Sequence, residues 1–207
     1  MGRDTGPKCR QCRREGEKLF IKGERCYSRS CPINRRNNPP GERSRRRRPR
    51  RSQYYIHLRE KQKVRRMYRV RERQFRRYVE AAKRRKGVTG EALLTLLERR
   101  LDNTLYRGGF ASSRDQARQL IVHGHFELNG RSTDRPSILL REGDTISVKE
   151  GRRSKVQAVL EANADREIPT WLERSADAMK LQLLAQPRPD EVVHNVATNL
   201  IVEYYSR

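Results

Sequence analysis

The chain has 207 residues and carries 49 Lys plus Arg against 25 Asp plus Glu, a formal net charge of +24, so its expected partner is a polyanion. With 34% apolar and 6% aromatic residues, it can build one or two modest cores, which excludes a large single-domain enzyme around an extensive pocket. No apolar run approaches the ~20 residues of a membrane span, and Met1-Gly2-Arg3-Asp4 opens no secretory signal, so a reducing, cytoplasmic address without a membrane partner is expected. Residues 1 to 86 hold 32 basic and 8 acidic side chains, the whole of the excess, and the remaining 121 hold 17 of each. Electrostatic capture and shape-specific recognition therefore belong to different segments.

Cys9, Cys12, Cys26 and Cys31 read C-x2-C, a 13-residue interval, then C-x4-C, the spacing of a four-cysteine structural zinc site. Gly16 and Gly23 can turn the chain so that the pairs converge, and Arg10, Arg13, Arg14 and Arg25 are expected to favour the thiolate form. Leu19, Phe20, Ile21, Tyr27 and Ile33 are nearly all the apolar material here, too little to fold the segment unaided. A structural zinc supplies roughly 10 to 16 kcal/mol in small peptides, so the metal would serve as the core. Two disulfides, an iron–sulfur cluster and unligated thiols are the competing readings; a catalytic zinc is excluded by four thiolates that leave no open position.

Asn37-Asn38-Pro39-Pro40-Gly41 begins a linker in which seven of residues 43 to 51 are Arg, a run suited to bidentate pairing with phosphate. From Ser52 the pattern is helical up to Gly87: Tyr54, Leu58, Val64, Met67 and Tyr68 form an incomplete stripe, and Phe75, Tyr78, Val79 and Ala82 a cleaner one. Arg59, Lys61, Lys63, Arg65, Arg66, Arg69, Arg73, Arg76 and Arg77 on the other faces exceed what intrahelical pairing can neutralise and are expected to need an external anion. Leu93, Leu97, Leu101 and Leu105 stack at i+4 spacing down a third helix, which Gly108 and Gly109 stop.

A compact module spans about 98 to 150. Ser112 or Ser113 caps a helix with Asp115 in its first turn. Ala117, Leu120 and Ile121 form its buried stripe, while Arg114 and Arg118, beside Gln119, present two guanidiniums to one patch of ligand. Gly124 is the left-handed cap, Phe126-Glu127-Leu128 and Thr145-Ile146-Ser147-Val148 alternate like strands, and Asn129-Gly130 is a hairpin signal. His123 and His125 have no third ligand at suitable spacing, so RNA contact or capping is expected rather than metal or acid–base work. Farther on, Val156, Val159 and Leu160 mark a helix, Pro169-Thr170-Trp171-Leu172 a short helical turn, Pro187 with Pro189 a connector, and Leu200-Ile201-Val202 a strand.

The succession Arg99-Arg100-Leu101-Asp102-Asn103, Arg107-Gly108-Gly109-Phe110, Ser113-Arg114-Asp115-Gln116-Ala117-Arg118-Gln119-Leu120, His123-Gly124-His125, Leu128-Asn129-Gly130 and Gly143-Asp144 resembles the S-four RNA-binding domain. Together with the cysteine pairs, Pro39-Pro40-Gly41, Leu58-Arg59-Glu60-Lys61-Gln62-Lys63 and the terminal Ile201-Val202-Glu203-Tyr204-Tyr205-Ser206-Arg207, it is similar to the bacterial small-subunit ribosomal protein four family over essentially the whole chain. Gly41-Glu42-Arg43-Ser44 departs from the Gly-Gln-His-Gly common in that family. The resemblance implies an α+β fold: a zinc-bound segment over 1–42, a basic linker and helical domain over 43–97, an S-four domain of helices on a small antiparallel sheet over 98–150, and C-terminal helices and a strand over 151–207, part of which packs back on the helical domain. It also implies a non-enzymatic primary assembly protein that binds a junction in the 5′ domain of small-subunit rRNA. The expected neighbours are ribosomal proteins five and three and the channel through which mRNA enters, with Arg45, Arg46, Arg47 and Arg48 facing the messenger, and no small-molecule substrate.

On charge and resemblance together, the candidate rRNA-binding residues of the first segment are Arg10, Arg13, Arg14, Arg35 and Arg36. The linker and helix contribute Arg50, Arg51, Tyr54, Arg59, Lys61, Gln62, Lys63 and Arg65. The module contributes Arg100, Arg107, Ser112, Ser113, Arg114, Gln116, Arg118, Gln119, His123, Gly124, His125 and Asn129. The alternatives are the S-four-like module of an RNA-modifying enzyme or synthetase, for which no catalytic motif is present, and a zinc-containing DNA-binding regulator, for which the finger spacing is absent.

Overall fold

In a computed structural model, which describes residues 4–36, 38–41, 51–188, 191–192 and 196–206, the chain forms two units, 1–90 with 195–207, and 91–194. The first begins with α1 (Lys8–Glu15), ended by Gly16 in the left-handed region, and α2 (Pro32–Arg35), which starts on a proline. Leu19, Ile21 and Ile33 bury against Cys12 and Cys31.

The helical stretch expected from Ser52 to Gly87 holds two helices, α3 (Gln53–Met67) and α4 (Glu72–Lys83), one under each stripe. Ser52 caps α3, its Oγ accepting from the Tyr55 amide. The break lies at Arg69, φ +55, where the amides of Arg69 and Val70 bond the carbonyls of Arg66 and Arg65. This is the Schellman arrangement, built here without glycine. Phe75, Tyr78, Val79 and Ala82 are buried as their spacing predicted.

Leu200-Ile201-Val202 lie in a helix, α9 (Thr198–Tyr204), not a strand. Ile201 and Val202 are β-prone but Leu200 favours helices, and only Ile201 is buried; α9 packs along α3, and Tyr205 after it sets its ring 6.3 Å from that of Phe75. Gly90 makes room for α9: a Cβ there would stand 2.3 Å from the Thr198 hydroxyl oxygen.

The leucine stack is likewise two helices, α5 (Thr89–Glu98) and α6 (Leu101–Arg107). Between them, the Leu140 amide bonds the Arg99 carbonyl at 2.9 Å and the Leu101 amide bonds the Ile138 carbonyl at 2.9 Å, a sheet-like exchange that replaces helical bonds. Then follow α7 (Arg114–Val122), β1 (Phe126–Leu128), β2 (Arg131–Thr133), β3 (Thr145–Val148), α8 (Arg153–Ala162), β4 (Leu172–Ser175) and β5 (Lys180–Leu183).

The antiparallel sheet has the order β2-β1-β3-β5-β4. Asn129 and Gly130, both at positive φ, make the predicted tight turn of the first hairpin. Ile146 stands opposite Leu128 and Leu181, so one face is apolar, and it shares a core with Leu101 and Leu105 of α6, Ala117 and Ile121 of α7, and Val156 and Leu160 of α8. The expected boundary at 150 is therefore moved: β4 and β5 complete the sheet begun by β1–β3, and Trp171-Leu172 lead into a strand rather than a helical turn.

Candidate nucleic-acid interface and cysteine cluster

Cys9 and Cys12 sit one turn apart on α1, Cys26 ends the short 3-10 turn Gly23–Cys26, and Cys31 precedes α2. None is in a disulfide, and all four line one small pocket with Ile21, Pro32 and Ile33. Burial pushes the Cys12 and Cys26 thiols above their ordinary range and the neighbouring thiols add to the push, while the Leu19 amide on Cys12 and the Lys22 and Ile21 amides on Cys26 oppose it. The net direction for these two is upward, and no flanking arginine is among the causes. Among the described residues, no group of three or more His, Cys, Asp or Glu is arranged to hold a metal ion. The four sulfurs share one pocket, and backbone N–H groups are turned to two of them.

Many of the basic side chains prove to have internal anions, contrary to the expectation for α3. The Glu15 carboxylate, 2% exposed, takes two hydrogen bonds from Arg59 and one from Arg66, fixing α1 on α3. Lys63 lies between Glu17 (2.9 Å) and Glu60 (3.0 Å), Arg65 donates to Gln62 at 2.9 Å, and Arg69 reaches Asp4 and Gln11. Lys61 is buried 2.8 Å from Glu72 and 4.6 Å from the Tyr204 ring centroid. Burial alone would raise the Glu72 carboxyl, but Lys61, the Tyr205 hydroxyl and Arg65 hold it below the usual carboxylate range.

Arg13 and Arg14 donate to the carbonyls of Asn38 and Pro40, bracing the double-proline loop. Arg10, Arg35, Arg36, Arg51 and Tyr54 are exposed. Tyr54 stands 5.8 Å from Tyr204, and a hydrogen bond between the two hydroxyls raises its pKa. Arg45, Arg46, Arg47, Arg48 and Arg50 lie outside the described residues. Arg73, Arg77, Arg84, Arg85 and Lys86 of α4 and its end are exposed.

In the second unit, Arg100 and Arg114 of the candidate set are buried, and Arg107 and Arg118 are part-buried. Arg100, 2% exposed, makes a two-pronged pair with Asp102 (2.9 and 2.6 Å), and Arg118 reaches the same carboxylate at 3.8 Å. Arg114 is buried, donates to Asn103 Oδ1 at 2.7 Å and stacks 4.6 Å from the Tyr106 ring, whose other neighbour is Arg166 at 4.0 Å. Burial would raise the Tyr106 hydroxyl, but those two guanidiniums lower it. Glu98, which the sequence did not mark, is fully buried and receives Asn103 and both prongs of Arg107. Its signal was one acid following a leucine stack directly before two arginines.

The predicted cap of α7 is present. Ser113 Oγ accepts from the Gln116 amide, and Gln116 Oε1 accepts from the Ser112 amide at 2.7 Å. Gln119 and His123 are exposed beside Gly124 at φ +68. His125 is buried, its pKa lowered by burial and by Arg152, Lys155 and His123. Asn129 is exposed, but both ends of its amide serve the turn, bonding Asp144 and the Thr145 amide at 2.9 Å. Arg152 and Lys155, exposed near the histidines, were missed because they follow the module's expected end.

The sequence matches the family described as the ribosomal protein S4/S9 N-terminal domain over residues 3–98 and the S4 domain over residues 99–146. It is 54% identical over 209 residues to small ribosomal subunit protein uS4A of Symbiobacterium thermophilum and 53% identical over 209 residues to uS4 of Syntrophomonas wolfei, covering 100% of each pair. The chain belongs to the uS4 family. The uS4 protein of Pelobacter propionicus, at 54% identity and again 100% coverage of both, is a third relative. In this uS4-family chain the S4 match ends at residue 146, whereas the sheet runs on through β5. Membership accords with the expectation of a ribosomal constituent that is not an enzyme.

Proposed function

We propose that this chain is a structural constituent of the small ribosomal subunit and a primary binder of a junction in the 5′ domain of its rRNA. The observation that carries the reading is full-length identity of about half to named uS4 proteins. The charge is consistent with it: internal acids absorb part of the excess on α3, and Arg10, Arg35, Arg36, Arg51, Arg73, Arg77, Gln119 and His123 stay at the surface. Phosphates are neutralised there, while a rigid sheet-and-helix unit fits the contours of A-form RNA, whose sequence is poorly offered to side chains.

In this reading Cys9, Cys12, Cys26 and Cys31 hold a structural zinc that reinforces the small core of Leu19, Ile21 and Ile33. Support comes from the shared pocket and the donor chemistry. Arg45–Arg48 line the channel by which mRNA enters, and ribosomal proteins five and three are the protein neighbours, as the family resemblance implies. The ribosome of the cytoplasm is the site of action; among the described residues no helix is long and apolar enough to cross a membrane. The experiment is hydroxyl-radical footprinting of the purified chain on small-subunit rRNA. Protection confined to a junction of the 5′ domain is expected, and uniform or no protection overturns the proposal.

A further inference from the structure

The most exposed large apolar side chain among the described residues is Tyr27, 67% exposed, in the first segment. The loop that carries it is fixed. The Tyr27 amide bonds the Glu24 carbonyl at 2.9 Å, Ser28 Oγ bonds the Arg25 carbonyl at 3.1 Å, and Cys26 and Cys31 on either side are buried. Beside Tyr27 lies the Phe20 ring, 5.0 Å between centroids and tilted 32°. Phe20 stands between buried Leu19 and Ile21, and its φ of +50 is one that non-glycine residues rarely adopt. The backbone thus spends an unfavourable conformation on a ring that stays outside the core.

The surroundings say what would cover this pair. From Lys18 to Arg36 inclusive there are six basic residues and one acid, Glu24, and Lys22, Arg25 and Arg29, within five residues of one ring or the other along the chain, are exposed. An apolar protein partner would need a wider apolar patch without that cationic rim. An unpaired nucleobase needs a flat ring to stack on and cations for its flanking phosphates. We propose that Phe20 and Tyr27 form a stacking platform for an unpaired base of RNA, with Lys22, Arg25 and Arg29 holding the adjoining phosphates. The proposal rests on the reading of the chain as an rRNA binder and adds to it a base-contacting site in the cysteine segment.

The test uses the full zinc-loaded chain and a transcript of the 5′ domain of small-subunit rRNA at fixed salt. Tyr27→Ala is expected to bind about five- to a hundredfold more weakly, and Tyr27→Phe, which keeps the ring, within about twofold of wild type. Tyr27→Trp supplies a fluorescent reporter, since the natural Trp171 is buried in the other unit, and its emission is expected to be quenched by the transcript. If wild type binds while Tyr27→Ala matches it, or the introduced indole keeps its emission in the saturated complex, the platform is overturned. A wild-type chain that does not bind the transcript at all refutes instead the functional reading beneath it.

Discussion

Replacing Arg100 by Ala separates a structural arginine from an RNA-binding one. The substitution leaves the Asp102 carboxylate, 4% exposed, without its two-pronged partner and with Arg118 only at 3.8 Å. Removing one member of a buried ion pair costs about 3 to 5 kcal/mol, and the residual attraction of Arg118 puts this case near about 3 kcal/mol. For a unit of this size, with a urea dependence of about 2 kcal/mol/M, the midpoint falls by about 1.5 M. Trp171, buried in the same unit, reports the transition by its fluorescence. Under conditions where the variant is folded, its affinity for rRNA stays within about twofold and the slope of log K against log salt changes by less than about one. The double replacement Arg100→Met with Asp102→Leu recovers most of the loss, because the uncompensated charge is gone. An unchanged urea midpoint with weakened RNA binding would falsify the inward placement of Arg100.

Cys9→Ser with Cys12→Ser, or chelation of zinc, is expected to unfold residues 4–36 and leave the unit 91–194 intact; unchanged amide spectra in the first segment contradict the zinc core. With about six to ten phosphate contacts, affinity for rRNA falls roughly a thousandfold to a hundred-thousandfold between 50 and 200 mM salt, and a salt-insensitive constant measured by filter binding rules the electrostatic reading out. Glu72, its carboxyl held low in the fold, contributes stability that is present above its unfolded pKa and lost as pH falls through the lower folded one. The gap in urea midpoint between wild type and Glu72→Gln should therefore close on acidification below the ordinary carboxylate range, and a constant gap refutes the link. Ser113→Ala removes the cap of α7 and costs about 1 kcal/mol in the same urea assay; no change means that the Gln116 contact suffices.

Local signals in the sequence determined a good deal. Gly16, Gly124 and Asn129-Gly130 are turns because few other residues take positive φ cheaply. Phe75, Tyr78, Val79 and Ala82 bury one helical face because their spacing leaves no other arrangement. The cysteines gather because two short spacings bracket a segment that glycines fold back. Tertiary structure alone decided matters where residues far apart in the chain compete for the same groups. Arg69 ends α3 without a glycine, so the position of the break could not be read from periodicity. The helix breaks at Arg99 and Arg100 because Leu140 and Ile138 take the Arg99 carbonyl and the Leu101 amide. Which arginines face outward depended on acids 44 to 51 positions away, such as Glu15 for Arg59 and Arg66. A charge count gives the field a chain presents, but the partner of each guanidinium is set by the packing that brings a carboxylate within 3 Å of it.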